Sequence, residues 1–149
     1  MKTNMNAAIL ATALALAGCT TMQSMGDTLT GKSSTGEHVA LNGANEVPPV
    51  QTSATGLGTV TVRDDKTVVV DVKATGMNAT AAHIHLGAAG ANGPVIVPLE
   101  KKGDNHFESK PDAKLTDEQY AAYRAGRTYV NVHSDAHKAG EIRAQLKGR

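Results

Sequence analysis

Beyond about residue 37, apolar and polar positions alternate in short segments separated by turn-forming residues. Val68, Val70 and Val72 point one way, with Asp71 and Lys73 opposite; Ile142, Ala144 and Leu146 likewise oppose Glu141, Arg143 and Gln145. A period of two marks a strand with one buried and one solvated face. Breaks fall at Pro48-Pro49, Asp64-Asp65, Gly76, the Gly87–Gly93 stretch, Gly103 and Gly140. The pattern predicts strands over His38–Glu46, Gly58–Arg63, Thr67–Ala74, Ala81–Leu86, Pro94–Glu100, Asn105–Ser109, Thr128–His133 and Glu141–Leu146. One segment departs from it. Thr116 with Gln119 three residues on is a capping box, Leu115 precedes it, Tyr120 and Tyr123 follow at helical spacing, and Gly126 closes the turn. A short helix is therefore expected near residues 116–125.

About eight antiparallel strands and one helix predict an all-β fold, a Greek-key β-sandwich or barrel. Aromatic residues make up 3% of the chain, so Val, Ile, Leu and Ala must fill the core. The N-terminal part has another character. Lys2 and the apolar run Ala7–Ala17 lead to Leu16-Ala17-Gly18-Cys19, the shape of a bacterial lipoprotein cleavage site, with Cys19 as lipid acceptor. Residues 1–18 are read as a signal peptide and 19–36, rich in Thr, Ser, Gly and Met, as a flexible tether. Residues 37–149 form the domain. The expected location is the bacterial envelope, lipid-anchored and facing periplasm or exterior, with the outer membrane favoured in a Gram-negative cell because Thr20 is not Asp.

The charge balance is +1 and falls to zero once Lys2 is removed, so no basic patch recommends nucleic acid as a partner. Cys19 is the only cysteine; its lipidation leaves no thiolate for a disulfide or a metal. The remaining ligand chemistry is imidazole, carboxylate and thioether. Tether residues Met22 and Met25 are read as incidental.

Two segments end in histidine: Ala81-Ala82-His83-Ile84-His85 and Tyr129-Val130-Asn131-Val132-His133. Strand alternation puts His83 and His85 on one face, and Val130 and Val132 send Tyr129, Asn131 and His133 to the polar face. If the strands are neighbours, three imidazoles meet on the solvent side of a sheet. Such a set suits copper, with zinc as alternative. His137, just beyond His133, offers a fourth nitrogen. The other reading of these histidines is hydrogen bonding between loops and sheet. His38 and His106 are left outside the site, His106 as a solvated surface residue. Asn131 is placed to orient a ligand from behind. Glu46, Glu141 and Arg143 form a second constellation: an Arg fork on a carboxylate would pin a loop. Were its guanidinium exposed beside the metal, Arg143 would instead attract a small anion. Ser134 and Asp135 beside His133 and His137 do not make a triad, and no phosphate-binding loop or His-Glu-x-x-His is present. The Gly87–Gly93 stretch is read as a long flexible turn, a lid over the histidine strand.

Leu41–Val50 (Leu-Asn-Gly-Ala-Asn-Glu-Val-Pro-Pro-Val), Ala54–Gly58, Ala82–His85, Asn92–Val95, Tyr129–His133 and Gly140–Arg143 together resemble the CHRD domain. That module is repeated in chordin and occurs singly in many bacterial secreted proteins. The resemblance runs from about His38 to Leu146; Ala144 departs from the glycine common after Glu-Ile-Arg. It implies a β-sandwich module, in some bacterial members connected to metal binding. The His-x-His strand with a third histidine alongside also resembles the copper side of Cu,Zn superoxide dismutase, a likeness of architecture. The expectation is a membrane-anchored extracytoplasmic protein that binds copper for buffering or transfer, not an enzyme. The alternatives are an adhesive envelope module for protein or glycan and a copper-only dismutase.

Overall fold

The computed structural model describes residues 36–148. The expected signal peptide, tether and Cys19 lie outside the described residues. Among the described residues are eight strands, β1 (Glu37–Asn42), β2 (Thr55–Val62), β3 (Val68–Thr75), β4 (Ala79–Leu86), β5 (Val95–Gly103), β6 (His106–Ser109), β7 (Thr128–Ser134) and β8 (Ile142–Leu146), with one α-helix, α1 (Asp117–Arg124). Every pairing is antiparallel, and the strands close into a barrel in the order β1-β2-β3-β6-β5-β4-β7-β8. Strands β4, β5 and β6 form a meander, with β3 returning beside β6 and β7 beside β4. These are two overlapping Greek keys. The all-β expectation holds.

Local chemistry explains most of the connections. Lys66 and Asn105 take positive φ in the β2–β3 and β5–β6 turns, conformations that Gly and Asn adopt most readily. Asn105 also uses its amide: Oδ1 accepts from Ala79 N at 2.8 Å, and Nδ2 donates to Met77 O at 2.9 Å. The first strand is shorter than the sequence suggests. It ends at Asn42, whose Oδ1 accepts from Asn45 N and so caps the 3-10 turn Gly43–Asn45. Side-chain bonding of this kind competes with the sheet ladder.

Helix α1 has the expected capping box, Thr116 Oγ1 accepting from Gln119 N and Gln119 Oε1 accepting from Thr116 N. It ends where Gly126 takes positive φ, with Gly126 N bonding Tyr123 O and Arg127 N bonding Ala122 O, a Schellman motif. Leu115 and Tyr123 anchor the segment in the core. The barrel interior is mainly aliphatic: Leu41, Val60, Val70, Val72, Ile84, Val130, Val132, Ile142 and Leu146 share one buried cluster with Phe107. Closure is thin at one seam. Between β1 and β8 the register contains one pair, Asn42 with Arg143; at the other end Lys147 N donates to both carboxylate oxygens of Glu37, at 2.9 and 3.1 Å.

The expectation of a solvated outer face fails at β7. All seven of its residues are buried, because the segments 43–52, 87–94 and 135–140 fold over that wall and cover its polar side chains. The histidine strand therefore faces a second, polar layer beneath loops.

A candidate metal centre beneath the loops

Register brings the two histidine strands together. β4 and β7 are neighbours, with Ala81 opposite His133, His83 opposite Asn131 and His85 opposite Tyr129; β8 continues the rows with Arg143 opposite Asn131 and Gln145 opposite Tyr129. His83 and His133 are thus diagonal neighbours, close enough for ring contact. Their ring centroids are 4.8 Å apart, those of His83 and His85 5.5 Å, and those of His85 and His133 6.0 Å. One nitrogen from each of the three lies within 4.8 Å of the others. The predicted convergence of imidazoles is present.

Backbone carbonyls set what these rings offer. His133 Nδ1 lies 3.0 Å from Lys138 O, and His85 Nδ1 lies 2.9 Å from Gly93 O. A carbonyl only accepts, so each Nδ1 carries the hydrogen and each Nε2 keeps its lone pair. His83 Nδ1 stands 2.9 Å from His133 Nε2, an arrangement in which His83 donates. His85 Nε2 is buried and has no partner. Leaving such an atom unmatched costs about 1–3 kcal/mol, and a cation is the partner a bare imidazole nitrogen fits. His83 and His133 are also held toward the neutral form. Burial, with His133 and His85 nearby, pushes His83 down to about 4. Burial also pushes His133 down, against the contrary pull of its bond to Lys138 O. Neutral imidazole is the ligating form. The three residues fit a transition metal bound through nitrogen.

The surroundings hold this set in place. Tyr129 stacks on His85 with centroids 4.8 Å apart and planes 4° from parallel, and the Arg143 guanidinium lies 3.4 Å from the Tyr129 ring centroid. Arg143 is 1% exposed. Its Nη2 donates to Ala88 O at 3.1 Å and to Gln145 Oε1 at 3.0 Å, and its Nη1 to Asn92 Oδ1 at 3.4 Å. Gln145 Nε2 reaches Gly87 O at 2.9 Å, Asn92 Nδ2 reaches Val47 O at 2.6 Å, and Gly93 N donates to Tyr129 OH at 3.3 Å. The Gly87–Gly93 segment is thus tied down at both ends. Arg143 pins it, as expected, but through carbonyl and amide oxygens in place of a carboxylate. An exposed guanidinium beside the histidines is not what the structure has, since burial and these bonds use it up.

The carboxylates serve other joints. Glu141 Oε1 accepts from Thr52 Oγ1 at 2.8 Å and its Oε2 accepts from Ser134 Oγ, joining two loops at the rim. Glu46 is buried, and that burial raises its carboxyl above the ordinary value against the pull of Arg143 and a bond from Asn131. Gly140, at φ 135°, packs so closely that a Cβ there would meet Glu46 Oε1 at 2.5 Å and Asn131 Nδ2 at 2.6 Å. His137 is not among the converging nitrogens. Its side chain lines a cleft with residues 46–51, while its backbone N donates to Ser134 Oγ at 3.2 Å. Sequence reasoning passed over Asn92, Gln145 and Tyr129 as supports. Gln145 and Tyr129 were signalled by lying on the polar rows of β8 and β7, and Asn92 only by its place in the Asn92–Val95 stretch of the family resemblance.

A family model described as CHRD domain matches residues 38–146. No curated protein and no solved structure matches the chain.

Proposed function

The chain belongs to the CHRD-domain family, and from that premise we propose that it is a lipid-anchored extracytoplasmic protein that binds copper through His83, His85 and His133. One observation carries the reading: one imidazole nitrogen from each of the three histidines lies within 4.8 Å of the others, and His85 Nε2 is buried without a hydrogen-bond partner. An all-nitrogen set suits Cu(II), Ni and Zn, and within the divalent series copper is held most tightly. The role is buffering or transfer of the ion. Support for binding over turnover comes from Arg143, whose guanidinium is spent on the Gly87–Gly93 segment and on Tyr129.

Calorimetric titration of the purified protein with Cu(II), Cu(I) and Zn(II) tests the site. The expected result is a tight class of one ion per chain that disappears when His83, His85 and His133 are all replaced by Ala. Equally tight binding by that variant would sink the proposal. The anchor rests on the apolar run ending at Leu16-Ala17-Gly18-Cys19. Cys19→Ser is expected to move the protein from the membrane pellet to the soluble fraction of a bacterial host; a pelleted variant would remove the lipid from the proposal.

A further inference from the structure

A second group of donors lies on another part of the barrel wall. Asp71 on β3 faces Glu108 on β6, and Glu108 faces Glu100 on β5, so three carboxylates stand in one row across adjacent strands. Like charges directly opposite one another destabilise a sheet. Lys102 takes up Glu100, its Nζ 2.8 Å from Glu100 Oε2, and its charge also reaches Glu108. Asp71 and Glu108 are left facing each other, with His106 Nε2 between them, 3.3 Å from Asp71 Oδ1 and 3.7 Å from Glu108 Oε1. His106 is two residues before Glu108 and shares its face, opposite Lys73. One oxygen from each acid and one imidazole nitrogen lie within 4.8 Å of one another.

A divalent cation placed between the opposed carboxylates would use all three donors. We propose that Asp71, His106 and Glu108 form a second metal site, for a divalent transition cation of the zinc or manganese class. The donors are one nitrogen and two oxygens, a borderline-to-hard set that suits such ions and disfavours Cu(I). The side chains of Asp71, Glu108 and His106 are 64%, 41% and 30% exposed, which leaves the outer coordination positions to water. An open site of three protein ligands binds more weakly than the buried imidazoles and exchanges faster. In the barrel order β5 stands between this strand pair and β4–β7, so the two sites share no residue and this one stands whether or not the histidine triad binds copper.

The test is calorimetric titration of the full chain with Zn(II), alongside Asp71→Asn and His106→Gln variants whose far-UV spectra report an unchanged barrel. The expected isotherm contains a weak class of one ion that each substitution weakens at least tenfold, while any tighter class is unaffected. Cu(I) is expected to leave the weak class unfilled. A parent isotherm without the weak class, or a weak class that survives both substitutions, overturns the proposal. Loss of the tight class alone, on replacing His83, His85 and His133, bears on the copper reading and leaves this site standing.

Discussion

Two carbonyl oxygens, Gly93 O and Lys138 O, decide which nitrogen His85 and His133 turn toward each other. Neither belongs to the strands that carry the histidines, so the tautomers are chosen by loops. The same enclosure governs protonation. His83 titrates near 4 in the folded protein and near 6.5 in an unfolded chain. Between those values the unfolded chain takes up a proton that the folded one refuses, so the contribution to stability is whole above about pH 6.5 and is lost as pH falls toward 4. His133, shifted the same way, adds to the loss. Urea midpoints measured from pH 7 to pH 4.5 are expected to fall less steeply in His83→Asn than in the parent. Parallel curves would contradict the shift. Glu46, raised by burial, acts in the opposite direction: its contribution is whole below about pH 4.5 and declines as pH rises.

At the scale of elements, what could be read from the chain was what neighbours in sequence decide. The valines of β3 and the apolar residues of β8 show their period within one segment, and the capping box of α1 spans four residues. Replacing Thr116 by Ala should cost about 1 kcal/mol, seen as a lower urea midpoint at unchanged slope. A loss near zero would mean that packing of Leu115 and Tyr123 alone holds the helix. What escaped the sequence depends on contacts between distant segments. Residues 87–93 look like a flexible turn because their anchors, Arg143 and Gln145, lie on β8. His106 looks like a lone surface residue because Asp71 meets it through β3 returning beside β6, a neighbour that the order of segments does not announce. The imidazoles of β4 and β7 were found because alternation fixes their face and the adjacency followed from the family resemblance. Their burial was not foreseen, since it comes from loops whose Gly and Pro content predicts only turns.

The described domain as a whole is a barrel with an aliphatic interior and, on the wall of β4, β7 and β8, a polar outer layer roofed by loops. Arg143 joins these parts. Its backbone meets β1 at Asn42, while its side chain holds Ala88, Asn92 and the face of Tyr129. Arg143→Met takes the donor from Ala88 O, Asn92 Oδ1 and Gln145 Oε1 and frees the roof, and is expected to cost about 1–3 kcal/mol. Thermal unfolding measures the loss, and metal affinity at the triad should drop with it because Gly93 no longer orients His85. A variant of parental stability would show that the roof stands without the arginine. The seam between the first and last strands has a separate consequence. The Glu37 carboxylate grips Lys147 N, so the polypeptide leaves the barrel where it arrived. A host chain can therefore accept this unit at one point on its surface, as a bead threaded without stretching the string on either side.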